Sequence, residues 1–515
     1  MVRATLPILV LGAMLAAADG PKVSPAEQQE EAAWLASFGI KPPTPALPLP
    51  DPYADPFTRR SLVVPTSWYR QFFGNRPKEV RADLLREDLK LLHRIMATAY
   101  GGWDSAQRLG LNWDAFFRDW DAALAARSSD SIPMADAFAP WRKFMEVQLD
   151  NHSGPLVDAA IMGHAGSSTS ILSGEPSAPC SAFRNANGQV YPIAATDPAQ
   201  QPKKRHDLAG QPLSYIVTTT AKGPIASVRC GDAWIPAKEA WSPTDSARAA
   251  NILALTQTEK DVPSFRSISS RIGYIRFPTF SKRNVELMLK LEESLKHLQH
   301  GEELLIVDLR NNDGGDNRIQ ALGNWTTIPK VTFKTRTGAS CLYPALRYGY
   351  LQISSAGLKP PISETRRQSW QNSLDQFSKN DAPGCPAKFV ETASGWTYVQ
   401  HRYPSTPAGK TRLVALVDDQ CGSDCEYALM VVAAVPGSVI AGVNTYGVGQ
   451  FIQPGYFVLP NTRMVFRVAL GTSDSYGDGR SFDGYGLDVD IVLATQKDES
   501  PESIVAFAER LLTAR

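Results

Sequence analysis

The spacing of hydrophobic and polar positions changes twice along this chain, and the changes divide it. Between residues 66 and 149 apolar side chains recur at helical spacing. Leu84, Leu85, Leu89, Leu91, Leu92 and Ile95 crowd one face, and Trp113, Phe116, Phe117 and Trp120 follow the same rule. This predicts a helical bundle over 66–154 with the aromatics in its core. From 155 to 265 short β-like runs alternate with Gly, Pro and Ser, Tyr215–Thr220 most clearly, and predict a β-rich subdomain. From 266 to 515 strand and helix patterns alternate. Ile272–Phe277 reads as a strand, followed by a helix with Met288, Leu291, Leu295 and Leu298 on one face, then the strand Leu304–Leu309. The unit recurs as Leu413–Val417, a helix over Glu426–Ala434, and Val439–Val443. Such βαβ alternation predicts an α/β core with a mostly parallel sheet covered by helices. An aromatic insertion at about 325–410 is placed to cover the crevice at the strand ends. Residues 19–65, with Pro42, Pro43, Pro45, Pro48, Pro50 and Pro52, read as a Pro-rich arm or linker.

Composition narrows the function classes. The 515 residues carry a net charge of +1, and the densest basic run, Lys203-Lys204-Arg205, is too short to bind nucleic acid or anionic membrane. Arg3, the apolar stretch Leu6–Leu15 and Ala16-Ala17-Ala18 compose a signal peptide over 1–18. That stretch is too short to span a bilayer, so no stable membrane anchor is expected and the protein is read as exported, periplasmic or secreted. Export gives the six cysteines meaning as disulfides. Order along the chain favours Cys180–Cys230, Cys341–Cys385 and Cys421–Cys425, although two buried thiols at 421 and 425 fit the sequence equally well.

Two turns carry the chemistry. Ile306–Arg310 runs into Asn311-Asn312-Asp313-Gly314-Gly315, and Leu413–Val417 leads to Cys421-Gly422-Ser423-Asp424-Cys425-Glu426. In open α/β sheets ligands bind beyond the carboxyl ends of strands, where both turns lie. Ser-x-x-Glu before an apolar run is also a helix capping box. The readings are compatible, because a serine at a helix N-terminus is exposed beside the positive dipole end.

These motifs resemble the tail-specific, or C-terminal-processing, serine peptidases and their tricorn-type relatives. Asp308–Gly315 resembles the family's Asp-Leu-Arg-x-Asn-x-Gly-Gly turn, and Ser423–Glu426 its Ser-x-x-Glu nucleophile turn. Thr445–Gln450 resembles the following Thr-Phe-Gly-Lys-Gly strand, and Asp483–Asp490 the closing Glu-Gly-x-Gly-Val-x-Pro-Asp. The resemblance implies a ClpP/crotonase-like core with Ser423 as nucleophile. It also implies peptide or protein substrates and no cofactor. Some relatives carry a PDZ module where 155–265 lies, but no Gly-rich carboxylate loop is evident there.

One departure is informative. Val448 stands where Ser/Lys-dyad members carry their general-base lysine, and no lysine occurs between Lys410 and Lys497. A serine hydroxyl needs activation. Tricorn-type members use a histidine in an Asp-x-His-Ser/Thr-like turn, and Asp150-Asn151-His152-Ser153 matches it. The resemblance therefore implies His152 as base, with Asn151 and Asp483 where the branch has an orienting serine and glutamate. The oxyanion hole would be backbone: the N–H of Asp424 and one from Gly314 or Gly315. No zinc, phosphate or dinucleotide motif is present. Two rivals remain at this stage: a ligand- or peptide-binding protein on the same fold, and a Cys425 thiol enzyme. Oligomeric state has no signal in the sequence.

Overall fold

The structure is a computed structural model. It describes residues 24–41, 64–75, 77–127, 130–156, 166–194, 199–240, 261–280, 285–296, 301–315, 319–326, 331–337, 342–355, 364–379, 397–401, 411–474, 482–493 and 498–513, with a few single positions between. The expected signal peptide, Cys341, Cys385 and much of the 325–410 insertion lie outside these.

The segment expected as an arm contains a helix, α1 (Pro25–Ser37). Ser24 accepts from the Glu27 N–H and the Glu27 carboxylate accepts from the Ser24 N–H, a complete capping box with Pro25 at the first helical position. The prolines further along masked that signal. Leu35, Phe38 and Ile40 are buried, and Trp34 packs on Trp370 of the insertion.

The helices expected over 66–154 form, chiefly α2 (Ala82–Ala99), α3 (Trp113–Ala125) and α4 (Ala139–Gln148). Their apolar faces share one core with α6 (Tyr343–Ser355) and the hairpin of β5 (Phe451–Val458) and β6 (Val465–Asp474). Asp88, fully buried on α2, accepts the Asn461 and Thr462 N–H groups at the hairpin tip, at 3.1 and 2.8 Å. The bundle is thus built onto the core through these contacts.

In the α/β part, β1 (Ile272–Arg276), β2 (Leu304–Asp308), β3 (Arg412–Val417), β4 (Val439–Gly442) and β7 (Ile491–Val492) pair in that order, all parallel. Strands β1 and β2 are buried throughout, as expected of a parallel sheet covered on both faces. One face packs on α5 (Val285–Leu295) and α7 (Asp424–Ala433), the other on α8 (Pro501–Thr513).

The β-rich segment continues this sheet. Lys203–Asp207 pairs in parallel with β7, and the path runs on antiparallel through Pro212–Thr219 and Ser167–Leu172, giving thirteen strands among the described residues. Cys180 and Cys230 are bonded across this segment.

Candidate active site

The site begins with a buried charge cluster under the end of β2. The Asp308 carboxylate accepts from Arg310 Nη2 at 2.7 Å and the Tyr274 hydroxyl at 2.5 Å, and Arg276 is 3.3 Å away. Burial opposes ionisation of Asp308, but the two guanidiniums and the hydrogen bonds win and hold its carboxyl well below the usual range. The Asp-Leu-Arg part of the motif is therefore scaffold.

Beyond it the two turns are stapled together. Asn311, with φ +65°, donates its N–H to the Asp418 carboxylate at 2.9 Å. Asn312 donates to the Phe277 carbonyl at 2.8 Å and accepts the Gly314 N–H at 2.9 Å. Its carbonyl accepts the Gly422 N–H at 3.1 Å, so the β2 turn holds the residue before Ser423. Contact is close enough to demand glycine. A Cβ on Gly314, at φ +85°, would sit 2.5 Å from the Gly422 carbonyl oxygen and 2.8 Å from Ser423 Cβ.

Ser423 caps α7 with φ +56° and ψ −121°, a strained conformation for a residue with a side chain. Its hydroxyl is placed as in a capping box, but the Glu426 N–H goes to the Ser423 carbonyl at 2.9 Å and the side chain makes no cap hydrogen bond. The hydroxyl instead reaches a cavity. Cys421 and Cys425, both fully buried, form a disulfide across this turn. The bond removes Cys425 as a thiol nucleophile.

Glu426, which sequence reasoning took for a cap, does more. Its carboxylate accepts the N–H groups of Ser423 (3.1 Å), Gly447 (2.7 Å) and Val448 (2.9 Å), and the Thr445 hydroxyl (2.6 Å). Burial pushes its carboxyl up to about 7 against these four donors, which favour the ionised form. Residues 445–450, expected as a strand, are a loop, and the Gly447 and Val448 N–H groups serve this carboxylate in place of a neighbouring strand. The 482–487 turn closes the loop from behind. The Gly484 N–H donates to the Gly447 carbonyl at 2.8 Å, and the Leu487 N–H to the Thr445 hydroxyl at 2.7 Å.

Ser423 lines a cavity of about 780 Å³ with Asn151, His152, Gly315, Asp424 and Val448. Two turns that are 271 residues apart, at 152 and 423, meet there. Of the two glycines, Gly314 spends its N–H on Asn312, whereas the Gly315 N–H has no partner among the described residues. Arg347, Tyr350, Gln453 and Arg467 also line the cavity. The two arginines had no signal in the sequence, because their place depends on how the insertion and the β5–β6 hairpin pack. No lysine is among the lining residues.

The His152 main-chain N–H donates to Asp150 Oδ1 at 2.7 Å, while its ring Nδ1 is buried without a partner. Burial and the Arg467 charge push the imidazole down to about 3, and the Phe451 carbonyl works the other way. The ring is neutral at pH 7 and able to accept a proton. Asp483 does not line the cavity. It accepts the Gln450 N–H at 2.7 Å, and burial, with Glu426 and Asp150 nearby, pushes its carboxyl well up. Among the described residues no cluster of His, Cys, Asp and Glu could hold a metal ion.

Comparison with known proteins gives loose structural likenesses and one family match. A crystal structure of mature CPAF is similar over 84% of this chain and 96% of its own, at 13% identity and a TM-score of 0.42. The photosystem II D1 C-terminal processing protease matches over 80% of this chain and 92% of its own, at 13% identity and 0.33. The tricorn protease matches over 83% of this chain and 37% of its own, at 12% identity and 0.36. Superposition at that level is too loose to transfer residue roles. A search of curated protein sequences finds no significant match. Residues 271–493, which span both turns and the loops that hold them, match the model of peptidase family S41. Through this core the chain is similar to peptidase family S41, a match that supports a serine-type peptidase.

Proposed function

We propose that the protein is an exported peptidase that hydrolyses peptide bonds through an acyl-enzyme on Ser423. The observation that carries this reading is that Ser423, His152 and Gly315 line one cavity. Ser423 Oγ attacks the scissile carbonyl as His152 takes its proton. The Gly315 and Asp424 N–H groups receive the developing oxyanion, the latter in the first turn of α7 where the helix dipole assists. His152 then returns the proton to the leaving amine, the acyl group stays on Ser423, and water releases it by the reverse proton path.

Val448 supports histidine in place of lysine. Its side chain lies against the cavity and cannot take a proton, and His152 is the one imidazole among the lining residues. This is the tricorn-type arrangement. Asn151 lines the cavity beside the base. Asp483 acts at one remove, holding the Gln450 N–H next to Phe451, whose carbonyl borders the His152 ring. Export is supported by two disulfides among the described residues.

The test is hydrolysis of a proteome-derived peptide mixture by the purified protein, read by mass spectrometry. Cleavage by the native chain that is lost in Ser423→Ala is expected. Equal cleavage by both, or none by either, overturns the reading.

A further inference from the structure

Helix α6, which supplies Arg347 and Tyr350 to the cavity wall, is held from two sides. In front it lies on β5. Arg347 donates to the Pro454 carbonyl at 2.9 Å, and the Tyr343 hydroxyl to Gln453 at 3.0 Å. Contact is so close that a Cβ on Gly349 would collide with the Tyr456 carbonyl oxygen. Behind, α6 meets α1 at one carboxyl group. Glu31, 7% exposed, accepts the Tyr348 hydroxyl and Gln352 Nε2, both at 3.2 Å. It also takes the Thr66 N–H at 2.7 Å and the Thr66 hydroxyl at 3.0 Å, while Gln352 donates to the Val64 carbonyl at 2.6 Å. No cation pairs with Glu31 among the described residues. Burial pushes its carboxyl up, and these donors oppose that.

A buried carboxyl without a cation is a costly way to join two helices, because apolar side chains would pack the same space more favourably. What it adds is direction. Apolar packing lets a helix rotate or slip, whereas the Thr66, Tyr348 and Gln352 donors converging on one group admit a single setting. Tyr348 and Gln352, four residues apart, share the face towards α1, and Arg347 and Tyr350, three apart, share the face towards the cavity. Rotation of α6 about its axis therefore moves both sets together. Further contacts anchor α1 itself. Glu27 accepts from Trp68 Nε1 at 2.8 Å, and Trp34 and Phe38 pack on Trp370 of the helix Glu364–Lys379, with ring centroids 5.8 and 5.4 Å apart.

We propose that Glu31 is a positioning residue for substrate: it fixes the rotation of α6, and with it the cavity wall along which an extended peptide lies. This rests on the peptidase reading given above. Ser423 itself is held elsewhere, by Asn312 through Gly422 and by Glu426. Glu31 thus governs how the peptide is gripped and leaves the reactivity of the serine alone.

The experiment compares Glu31→Ala, Glu31→Gln and Tyr348→Phe with the native chain. The substrate is the peptide that the native chain cleaves best from an internally quenched randomised library, and fluorophosphonate labelling of Ser423 is measured in parallel. The small probe needs the serine and its base but not the wall. Glu31→Ala is expected to raise KM at least about tenfold, with kcat and the labelling rate within about twofold of native, the pattern of lost binding contacts. Glu31→Gln, which keeps one acceptor oxygen, should recover part of the KM. Tyr348→Phe, which removes one donor, should raise it less. Amide exchange should quicken in Tyr343–Ser355 and not in Asp424–Ala433. An unchanged KM in folded Glu31→Ala overturns the proposal. So does a loss of labelling in step with cleavage, which would mark a merely structural role. If Glu31→Ala does not fold, the same split in Glu31→Gln and Tyr348→Phe decides. Failure of the peptidase reading looks different, because then the native chain cleaves no peptide and Ser423 takes no label.

Discussion

The Glu426 carboxylate accepts the main-chain N–H of Ser423 at 3.1 Å while holding Gly447 and Val448 by their N–H groups. One buried carboxyl group thus fixes the nucleophile turn and the loop opposite it as a unit. In Glu426→Gln an amide NH2 would confront N–H donors that now converge on oxygen. A destabilisation of about 3 kcal/mol is expected from urea unfolding, as for a buried charge network broken on one side. Labelling of Ser423 should slow even where the protein remains folded.

Gly314 allows the two strand-end turns to touch. Gly314→Ala places a methyl 2.5 Å from the Gly422 carbonyl oxygen and forces φ +85° on an alanine. The turns must separate, at a cost of about 2–4 kcal/mol in chemical denaturation. Gly188, also at positive φ (83°) but with open space at its Cβ, is the control. Alanine there should cost about 1 kcal/mol and leave Ser423 reactivity alone.

His152 links stability to pH. Its imidazole is pushed down to about 3 in the folded protein, against an ordinary value near 6.5. The unfolded chain therefore binds the proton first, so this contribution is complete above pH 6.5 and is lost as pH falls from there towards 3. His152→Gln should lose about 2–4 kcal/mol less than the native protein between pH 7 and 3, the range allowing for a residue that is only half-buried overall. Urea titrations at several pH values would read the difference. Parallel curves for the two proteins would contradict it.

The Cys421–Cys425 bond spans the strained serine. It closes a very short loop, so replacing both cysteines by serine should cost about 2 kcal/mol. The larger effect is expected in reactivity, with slower labelling of Ser423 at unchanged secondary structure by circular dichroism. Removing Cys180 and Cys230 together should lower stability without that loss of reactivity.

Much of this was legible in residue patterns, for identifiable reasons. The βαβ units announced themselves because buried parallel strands such as Leu304–Asp308 read as unbroken apolar runs between polar turns. Glu426 was visible as a capping box, but the convergence of Gly447 and Val448 on it depends on a loop arriving from outside the local sequence. For the same reason the 445–450 segment reads as a strand in sequence. Helix α1 was hidden by neighbouring prolines, although Ser24, Pro25 and Glu27 wrote its start in full. Arg347 and Arg467 were out of reach. Nothing near either residue distinguishes it from a surface arginine, and only the packing of α6 on the β5–β6 hairpin brings them to Ser423.

The central claim is that Ser423 is a nucleophile activated by His152. The most direct measurement treats the purified protein with a fluorophosphonate, maps the adduct by mass spectrometry, and repeats the reaction with His152→Ala. An adduct on Ser423 is expected in the native protein, with at least about a hundredfold slower labelling in the variant, the scale of a lost general base. Folded native protein that takes no label, or a variant that labels equally fast, would contradict it.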